Sequence, residues 1–343
     1  MKICHVNLAS EYHGGESQTL QLIKQQLKMG YNLTVVANPK SPFAQAVSDL
    51  GCQCYFTRHF LKGHQRTMTE GCQVIHVHEG RAIYWAFIQN LRFGIPYLVT
   101  RRIDNALKKK RLSNLAYQRS AALVGLSHKI VYCLRQAYPE KPIFRIPSSP
   151  VRYSFEAQKV ADIQQKFYHR YLIIHAANMF KHKGFDVTIE AARQLQKRAP
   201  EVNFILLGDG KIRSELEQQA LGLSNVSFVG KQNDMGNWFK AADMLVHPAY
   251  SEGLGSVILE ALAAKLPVIA SRAGGIPDII EHNQSGLLIE PGNATQLAES
   301  IIRIKHDLRL QKQLREGAER KLANFSISYT AEQYQTLYRS LVS

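Results

Sequence analysis

A chain of 343 residues is longer than one hydrophobic core usually organises, so about two domains are expected. Its 45% hydrophobic and 20% charged residues exclude a disordered chain, and no run approaches the roughly 18 to 20 apolar residues of a membrane span. The net charge is +16, and residues 1–150 hold 20 Lys and Arg against 7 Asp and Glu, so the excess lies mainly in the first half.

The N-terminal stretch MKICHVNLASEYHGG meets Glu11 and two glycines after one short apolar run, too early for a signal peptide. The five cysteines are odd in number and form no CxxC pair, as expected of reduced thiols. We therefore expect a cytoplasmic protein.

Short β-rich runs alternate with helical patterns through the first half of the chain. Predicted strands are KICHVNL, NLTVVA, CQCYFT, VIHVH, PYLVT and ALVGLS, and predicted helices cover about 15–29, 42–50, 81–92 and 128–138. This alternation predicts parallel βαβ units and one doubly wound domain. The prolines and serines of IPSSPVR then interrupt the pattern and predict a linker.

The same alternation restarts after the linker. Predicted strands are YLIIHAA, NFILLG, VSFVG, DMLVHP and PVIAS, and predicted helices cover about 184–198, 211–221, SVILEALAAK, most of 294–323 and 330–342. We expect two doubly wound Rossmann-like domains facing a cleft. The first comprises residues 1–149 together with a C-terminal helix at about 327–343, and the second comprises residues 150–326. In such sheets, ligands bind beyond the carboxyl ends of the strands.

The most informative stretch is AYSEGLGSVILEALAAK, which begins at Ala249. Glu252 and Glu260 lie eight positions apart across a Gly-rich turn that opens a helix. Glycines let the backbone approach a ligand closely, and the free N–H groups near Ser256 and Val257 form an anion site that the helix dipole favours. The pattern predicts a diphosphate site. A glycosidase also uses two carboxylates, and hydrolysis is disfavoured but not eliminated because Glu252 precedes the helix.

This stretch resembles the E-x7-E region of retaining glycosyltransferase family four, which has the GT-B fold. The resemblance spans nearly the whole chain through a series of short motifs. In order they are Gly14-Gly15, His76-x-His78, Lys183-Gly184, Gly208-Asp209-Gly210, Glu252 to Glu260, and Gly274-Gly275. No single motif is specific, but their order and spacing are.

The resemblance implies a role for each matching residue. Glu260 would accept the ribose hydroxyls of a nucleotide, and the catalytic pair would be Glu252, which holds donor-sugar hydroxyls, and Lys183, which neutralises charge on the leaving diphosphate. The residues expected to bind the donor are Gly15, Lys181, Gly208, Gly253, Leu254, Gly255, Ser256, Val257 and Glu260.

The chain departs from the family pattern at three places. Asn178 replaces an Arg that many members place before the Lys, which leaves Lys181 as the second positive charge. Arg102 stands where many members have a His after a strand; it cannot serve as a general base, but it could bind an anionic group. Ser148-Ser149 replaces an Asn-Gly.

No metal and no cofactor are expected. The chain contains no Asp-x-Asp pair to place a cation on a diphosphate. His76 and His78 alternate on a strand as metal ligands sometimes do, but no other His or Cys pair completes a site, so packing at a strand end is favoured. A dinucleotide fingerprint and a P-loop are both absent from the sequence.

The basic first half predicts an anionic partner, although a charged surface can serve solubility alone. Nucleic acid is disfavoured because its usual motifs are absent. The candidates for binding an acceptor or an anion are Arg101, Arg102, Lys108, Lys109, Lys110 and Arg111.

We expect a retaining, metal-independent transferase that moves a sugar from a nucleotide-diphosphate sugar, with UDP as the nucleotide, to a saccharide or lipid-linked acceptor. The nucleotide sugar is expected in the C-terminal domain, residues 150–326, and the acceptor on the basic N-terminal domain, residues 1–149. The expected setting is lipopolysaccharide or cell-envelope glycan synthesis, with the protein peripheral on the inner face of an anionic membrane. The alternatives are a nucleotide-sugar epimerase on the same fold and a catalytically silent sugar-binding or membrane-binding protein.

Overall fold

A computed structural model describes residues 1–105, 107 and 110–342. The chain divides into two compact units. Unit 1 comprises Met1–Ser149 and Phe325–Ser343, and unit 2 comprises Pro150–Asn324. Within the described ranges, no helix is both long enough and apolar enough to cross a membrane.

The described part of unit 1 contains a seven-stranded parallel sheet in the order β3-β2-β1-β4-β5-β6-β7. Its strands are β1 Lys2–Asn7, β2 Asn32–Ala37, β3 Gln53–Phe56, β4 Val74–Val77, β5 Tyr97–Arg101, β6 Ala122–Gly125 and β7 Ile143–Arg145. Its helices are α1 Gly14–Lys28, α2 Pro42–Ser48, α3 Ala82–Phe93, α4 Arg111–Arg119, α5 His128–Ala137 and, from the C-terminus, α14 Ile327–Val342.

The described part of unit 2 contains a six-stranded parallel sheet in the order β10-β9-β8-β11-β12-β13. Its strands are β8 Tyr171–Ala176, β9 Val202–Leu207, β10 Val226–Gly230, β11 Met244–His247, β12 Val268–Ser271 and β13 Leu287–Ile289. Its helices are α6 Ala157–Lys166, α7 Phe185–Arg198, α8 Arg213–Gln219, α9 Met235–Ala241, α10 Ser256–Ala263, α11 Ile276–Ile279, α12 Ala294–His306 and α13 Leu308–Leu322.

The predicted pair of doubly wound parallel sheets is confirmed. The central strands are buried along their length, as the continuous apolar runs indicated. Helix α1 buries Thr19, Leu22, Ile23 and Gln26, the three- and four-residue spacing of one helical face. Helix α14 packs on unit 1, where Tyr334 and other residues on its apolar face join the core cluster that contains β1 and β2.

Some local predictions need correction. The predicted helical stretch 294–323 is two helices, because the Asp307 side chain accepts a hydrogen bond from the Leu310 backbone at 2.9 Å and starts α13 anew. The sequence analysis did not identify the three-residue edge strands β7 and β13, or the helices α4, α6, α9 and α11.

Strand order reverses at the same place in both sheets, between β1 and β4 in unit 1 and between β8 and β11 in unit 2. At such a switch point the connections on either side run to opposite faces, which leaves a crevice outside the carboxyl ends of the strands. Loops that follow these four strands are therefore where ligand-binding side chains are expected.

Candidate functional site

Loops at the carboxyl edge of the unit 2 sheet pack closely because they contain glycine. Gly184 has φ 73°, and a Cβ there would overlap the Pro248 carbonyl oxygen. Gly208, which follows β9, has φ 137°, and a Cβ there would overlap the Ala177 carbonyl oxygen. Only glycine combines these backbone angles with this closeness. The loops after β8, β9 and β11 are thereby held against one another.

Lys183 and Glu252 meet where the loops after β8 and β11 touch. The Lys183 Nζ atom lies 2.7 Å from Glu252 Oε2, and His247 Nε2 lies 2.9 Å from the same oxygen. The other oxygen of Glu252 accepts the Gly253 backbone N–H at 3.1 Å. The Gly275 N–H donates to the Glu252 backbone carbonyl at 2.8 Å. Both carboxylate oxygens are thus bound and the side chain is fixed.

The charge state of Glu252 follows from these contacts. Burial alone would raise the pKa of its carboxyl, but the hydrogen bond from His247 and the charge of Lys183 outweigh burial and hold that pKa well below its usual value. Glu252 is therefore a carboxylate at neutral pH and can accept hydrogen bonds but not donate a proton. The sequence analysis missed His247, although its place at the end of β11 beside the switch point could have suggested it.

The Gly-rich turn leads directly into α10. Gly255 has φ 103° and precedes the helix, and Leu254 is buried beneath the turn. The backbone N–H groups of Ser256 and Val257, in the first turn of α10, have no partner within the helix, so the positive end of its dipole lies here. This end of the helix suits an anion.

Glu260 lies one turn further along α10, in surroundings unlike those of Glu252. Burial raises the pKa of its carboxyl to about 8, against a smaller opposing effect of a hydrogen bond with Tyr153. The carboxyl lines a pocket of about 320 Å³ that also contains Phe155 and Lys240. Tyr153 and Phe155, between the linker and α6, were not identified from the sequence. The two glutamates therefore have different partners and different charge states.

The structure separates Lys181 from the Lys183–Glu252 pair. Lys181 lines a second pocket in unit 2, of about 510 Å³, together with Asp186 and Tyr250, whose hydroxyl donates to Asp186 at 2.7 Å. Asn178 is exposed in the same loop.

In unit 1 the predicted basic residues have different environments. Arg101 is buried and donates to the Asn105 side chain at 2.7 Å, so it braces the loop after β5. The stem of Arg102 lies against Gly15, in the first turn of α1. Lys110 and Arg111 are exposed at the start of α4. Lys108 and Lys109 lie outside the described residues.

His76 and His78 are joined by a third histidine, which the spacing along the chain did not indicate. His5, from β1, brings a ring nitrogen within 4.8 Å of ring nitrogens of the other two, and all three side chains are buried. Each of the six ring nitrogens has a hydrogen-bond partner, among them Gln26, Thr100 and Tyr338. These bonds account for the cluster without a metal ion, and metal independence stays a prediction.

Comparison with known proteins gives a consistent picture. The family model described as "Glycosyl transferases group 1" matches residues 158–321. A sulfoquinovosyl transferase of Arabidopsis thaliana is 33% identical over 141 residues, which are 40% of this chain and 27% of that protein. A lipopolysaccharide core biosynthesis glycosyltransferase of Rhizobium meliloti is 34% identical over 173 residues, 49% of this chain and 50% of that protein.

The chain spans less than half the length of the first curated relatives that it matches. Among solved structures, HepE of Anabaena in complex with UDP superposes with a TM-score of 0.85 and 19% identity, covering 99% of this chain and 100% of that one. At this identity the likeness establishes the fold, and the predicted GT-B fold class is confirmed.

Proposed function

We propose that this chain, whose residues 158–321 match the model of the group 1 glycosyl transferases, transfers a sugar from a UDP-sugar to a saccharide or lipid-linked acceptor with retention of anomeric configuration. The observation that carries the proposal is the Lys183–Glu252 pair beside the positive end of α10, with Glu260 one turn beyond. HepE, which shares the fold, binds UDP, and this supports the choice of nucleotide.

In the proposed complex the diphosphate lies at the start of α10. The N–H groups of Ser256 and Val257 donate to it, and Gly253 and Gly255 allow its approach. Glu260 exchanges its bond with Tyr153 for the ribose hydroxyls. Glu252, held as a carboxylate, accepts hydroxyls of the donor sugar.

The proposed reaction is a front-side displacement. The acceptor oxygen forms a bond to the anomeric carbon while the bond from that carbon to the leaving phosphate oxygen breaks, and the acceptor proton passes to a phosphate oxygen. Charge grows on the diphosphate in the transition state, and the Lys183 ammonium stabilises it there. No residue is required to act as a metal ligand in this sequence of steps.

The direct test is product analysis. Incubation with UDP-sugars and a lipopolysaccharide-core oligosaccharide is expected to yield UDP and a glycoside of unchanged anomeric configuration, measured by mass spectrometry and NMR. The rate in excess chelator is expected to equal the rate with added Mg²⁺ or Mn²⁺. Free sugar as the sole product would indicate hydrolysis, an epimerised donor would indicate an epimerase, and no turnover would indicate a binding protein.

Glu260 gives a second prediction, which concerns protons. With a pKa of about 8 this carboxyl is mostly protonated at pH 7, whereas ribose hydroxyls bind best to the ionised form. UDP binding at pH 7 should therefore release up to about one proton per site, and affinity should rise with pH until the free carboxyl is ionised.

Calorimetry in buffers of different ionisation enthalpy measures this release. Glu260→Gln is expected to abolish it and to weaken UDP binding about tenfold or more, since unpaired donors remain. The matched variant Glu215→Gln, in α8, should behave like wild type. Unchanged affinity and proton release in Glu260→Gln would remove this residue from the ribose site.

The proposed setting is the inner face of an anionic membrane, in lipopolysaccharide or cell-envelope synthesis. Exposed apolar and cationic side chains lie together at the start of α4: Leu112 and Leu115 are about half exposed, at 48% and 49%, beside Lys110 and Arg111. A helix with such a surface can lie in the membrane interface, and each basic residue near it contributes about 1 kcal/mol. The name of the Rhizobium meliloti relative supports a lipopolysaccharide acceptor.

Vesicle co-sedimentation tests this setting. Wild type is expected to bind anionic vesicles at low salt and to be released at high salt, because the attraction is screened within a Debye length. Replacing Lys108, Lys109, Lys110 and Arg111 together by Ser should abolish binding. The control removes equal charge from exposed positions elsewhere in unit 1, namely Lys24, Lys28, Lys40 and Arg58. Equal binding by both variants, or none by wild type, would contradict membrane docking without affecting the donor site.

A further inference from the structure

Arg102 is a cation held by neutral groups. It follows β5 in unit 1, and its guanidinium donates to Ser148 Oγ at 3.0 Å, with Thr19 Oγ1 and His78 Nδ1 each at 3.5 Å. None of these partners carries a negative charge. The guanidinium is thus fixed in position by hydrogen bonds to neutral groups alone.

The hydrogen-bond network around His78 explains why this histidine stays neutral. Gln26 Oε1 can only accept, so His5 Nε2, 2.7 Å away, carries its proton. Neutral His5 then accepts at Nδ1 from His78 Nε2, at 2.8 Å, and this leaves His78 Nδ1 as an acceptor facing Arg102. Burial, with the nearby His76, His5 and Arg102, holds the pKa of His78 well below its usual value. Neutral His78 therefore orients the Arg102 guanidinium by a hydrogen bond, without repelling its positive charge or cancelling it.

The charge of the Glu16 carboxylate acts on Arg102, but the hydrogen bonds that this carboxylate accepts come from other groups. Glu16, in the first turn of α1, accepts the Asn7 side-chain amide at 3.1 Å and the His13 backbone N–H at 3.0 Å, one with each oxygen. Among the described residues, Arg102 makes no ion pair. The Arg102 side chain is partly buried, and burial lowers the pKa of its guanidinium, against a smaller opposing effect of the Tyr334 and Glu16 charges.

Further hydrogen-bond donors, on residues adjacent in sequence to the partners of Arg102 and on Arg102 itself, also lack partners. Within the described residues, Arg102 Nε, Ser149 Oγ and Gln18 Nε2 are buried and unpaired, and the side chains of Ser149 and Gln18 are at least nine-tenths buried. Ser149 follows the Ser148 that binds Arg102, and Gln18 precedes the Thr19 that contacts it. The positive end of α1, at Gly14 and Gly15, lies beside the same guanidinium. Each of these groups can donate a hydrogen bond or carries positive charge, which suits a negatively charged ligand.

We propose that Arg102 binds an anionic substituent, a carboxylate or a phosphate, on the saccharide that unit 1 receives, so that this residue determines specificity for an acidic sugar. The inference rests on the proposed function and adds the chemical class of one substrate. Arg suits this role because its planar fork matches a carboxylate or phosphate with two parallel hydrogen bonds. Ser148 and His78 are positioning residues, since each holds one terminal nitrogen of the guanidinium.

Calorimetry on the full chain tests the proposal in two arms, which separate an acidic acceptor from an acidic donor. The donor arm compares UDP-glucuronate with UDP-glucose. The acceptor arm, at saturating UDP, compares glucose 6-phosphate and glucuronate with glucose. Wild type is expected to bind the anionic probe about tenfold or more tightly than its neutral counterpart in the acceptor arm. Arg102→Gln should lose that preference, and Arg102→Lys should keep part of it.

The control is Arg58→Gln, which removes the same charge from an exposed position of unit 1 and should keep the full preference. Absence of a preference in the acceptor arm in wild type, or its persistence in Arg102→Gln, would overturn the inference. So would an equal loss of affinity for free UDP, since Arg102 would then contact the diphosphate. If Arg102→Gln does not fold, the wild-type preference and Arg102→Lys still decide. Failure of wild type to bind any UDP compound would instead refute the proposed function.

Discussion

The Lys183 ammonium and the Glu252 carboxylate lie 2.7 Å apart where two loops of unit 2 meet, and both side chains are mostly buried. Removing one partner of such a pair typically destabilises a protein by about 3 to 5 kcal/mol, because the other charge is left unpaired. The pair depends on glycines that let the loops touch, and on the Tyr250 N–H, which donates to the His182 carbonyl at 2.9 Å. The close packing of these loops is therefore also what holds the Lys183–Glu252 ion pair in place.

In the proposed reaction, Lys183 and Glu252 each exchange the other for a group of the donor. The diphosphate competes for Lys183, and the donor-sugar hydroxyls take the place of the ammonium beside Glu252. His247 keeps one bond to Glu252 throughout and so preserves its orientation. Because both charges are already removed from water and fixed, little reorganisation remains for the transition state.

The two units use the same strand order for different purposes. Unit 2 places a balanced ion pair at its switch point, whereas unit 1 places an arginine that is supported by neutral histidine, serine and threonine. Two departures from the family pattern, Arg102 and Ser148, hydrogen-bond to each other at 3.0 Å. We infer that these two residues act together. Because of them, the carboxyl edge of the unit 1 sheet is expected to bind a ligand whose charge differs from that bound by proteins with the usual family residues.

Much of the fold could be predicted because buried parallel strands appear in the sequence as continuous apolar runs. Amphipathic helices likewise show apolar residues at three- and four-residue spacing. The three-residue strands β7 and β13 could not be predicted, since so short a run carries no periodicity. The Glu252 to Glu260 motif predicts where the candidate site lies, but the opposite pKa shifts of the two carboxyls depend on His247, Lys183 and burial, which only the fold brings together. His5 and His76 are neighbours through strand pairing, a contact that spacing along the chain does not encode.

The most direct test of the central claim is the turnover number of Lys183→Ala at saturating UDP-sugar, measured beside Lys197→Ala, an exposed lysine of α7, and with melting curves to check folding. If Lys183 stabilises charge that develops on the leaving diphosphate, its loss should lower turnover about 10²-fold or more, while Lys197→Ala stays near wild type. Near-normal turnover in a folded Lys183→Ala protein would contradict the account.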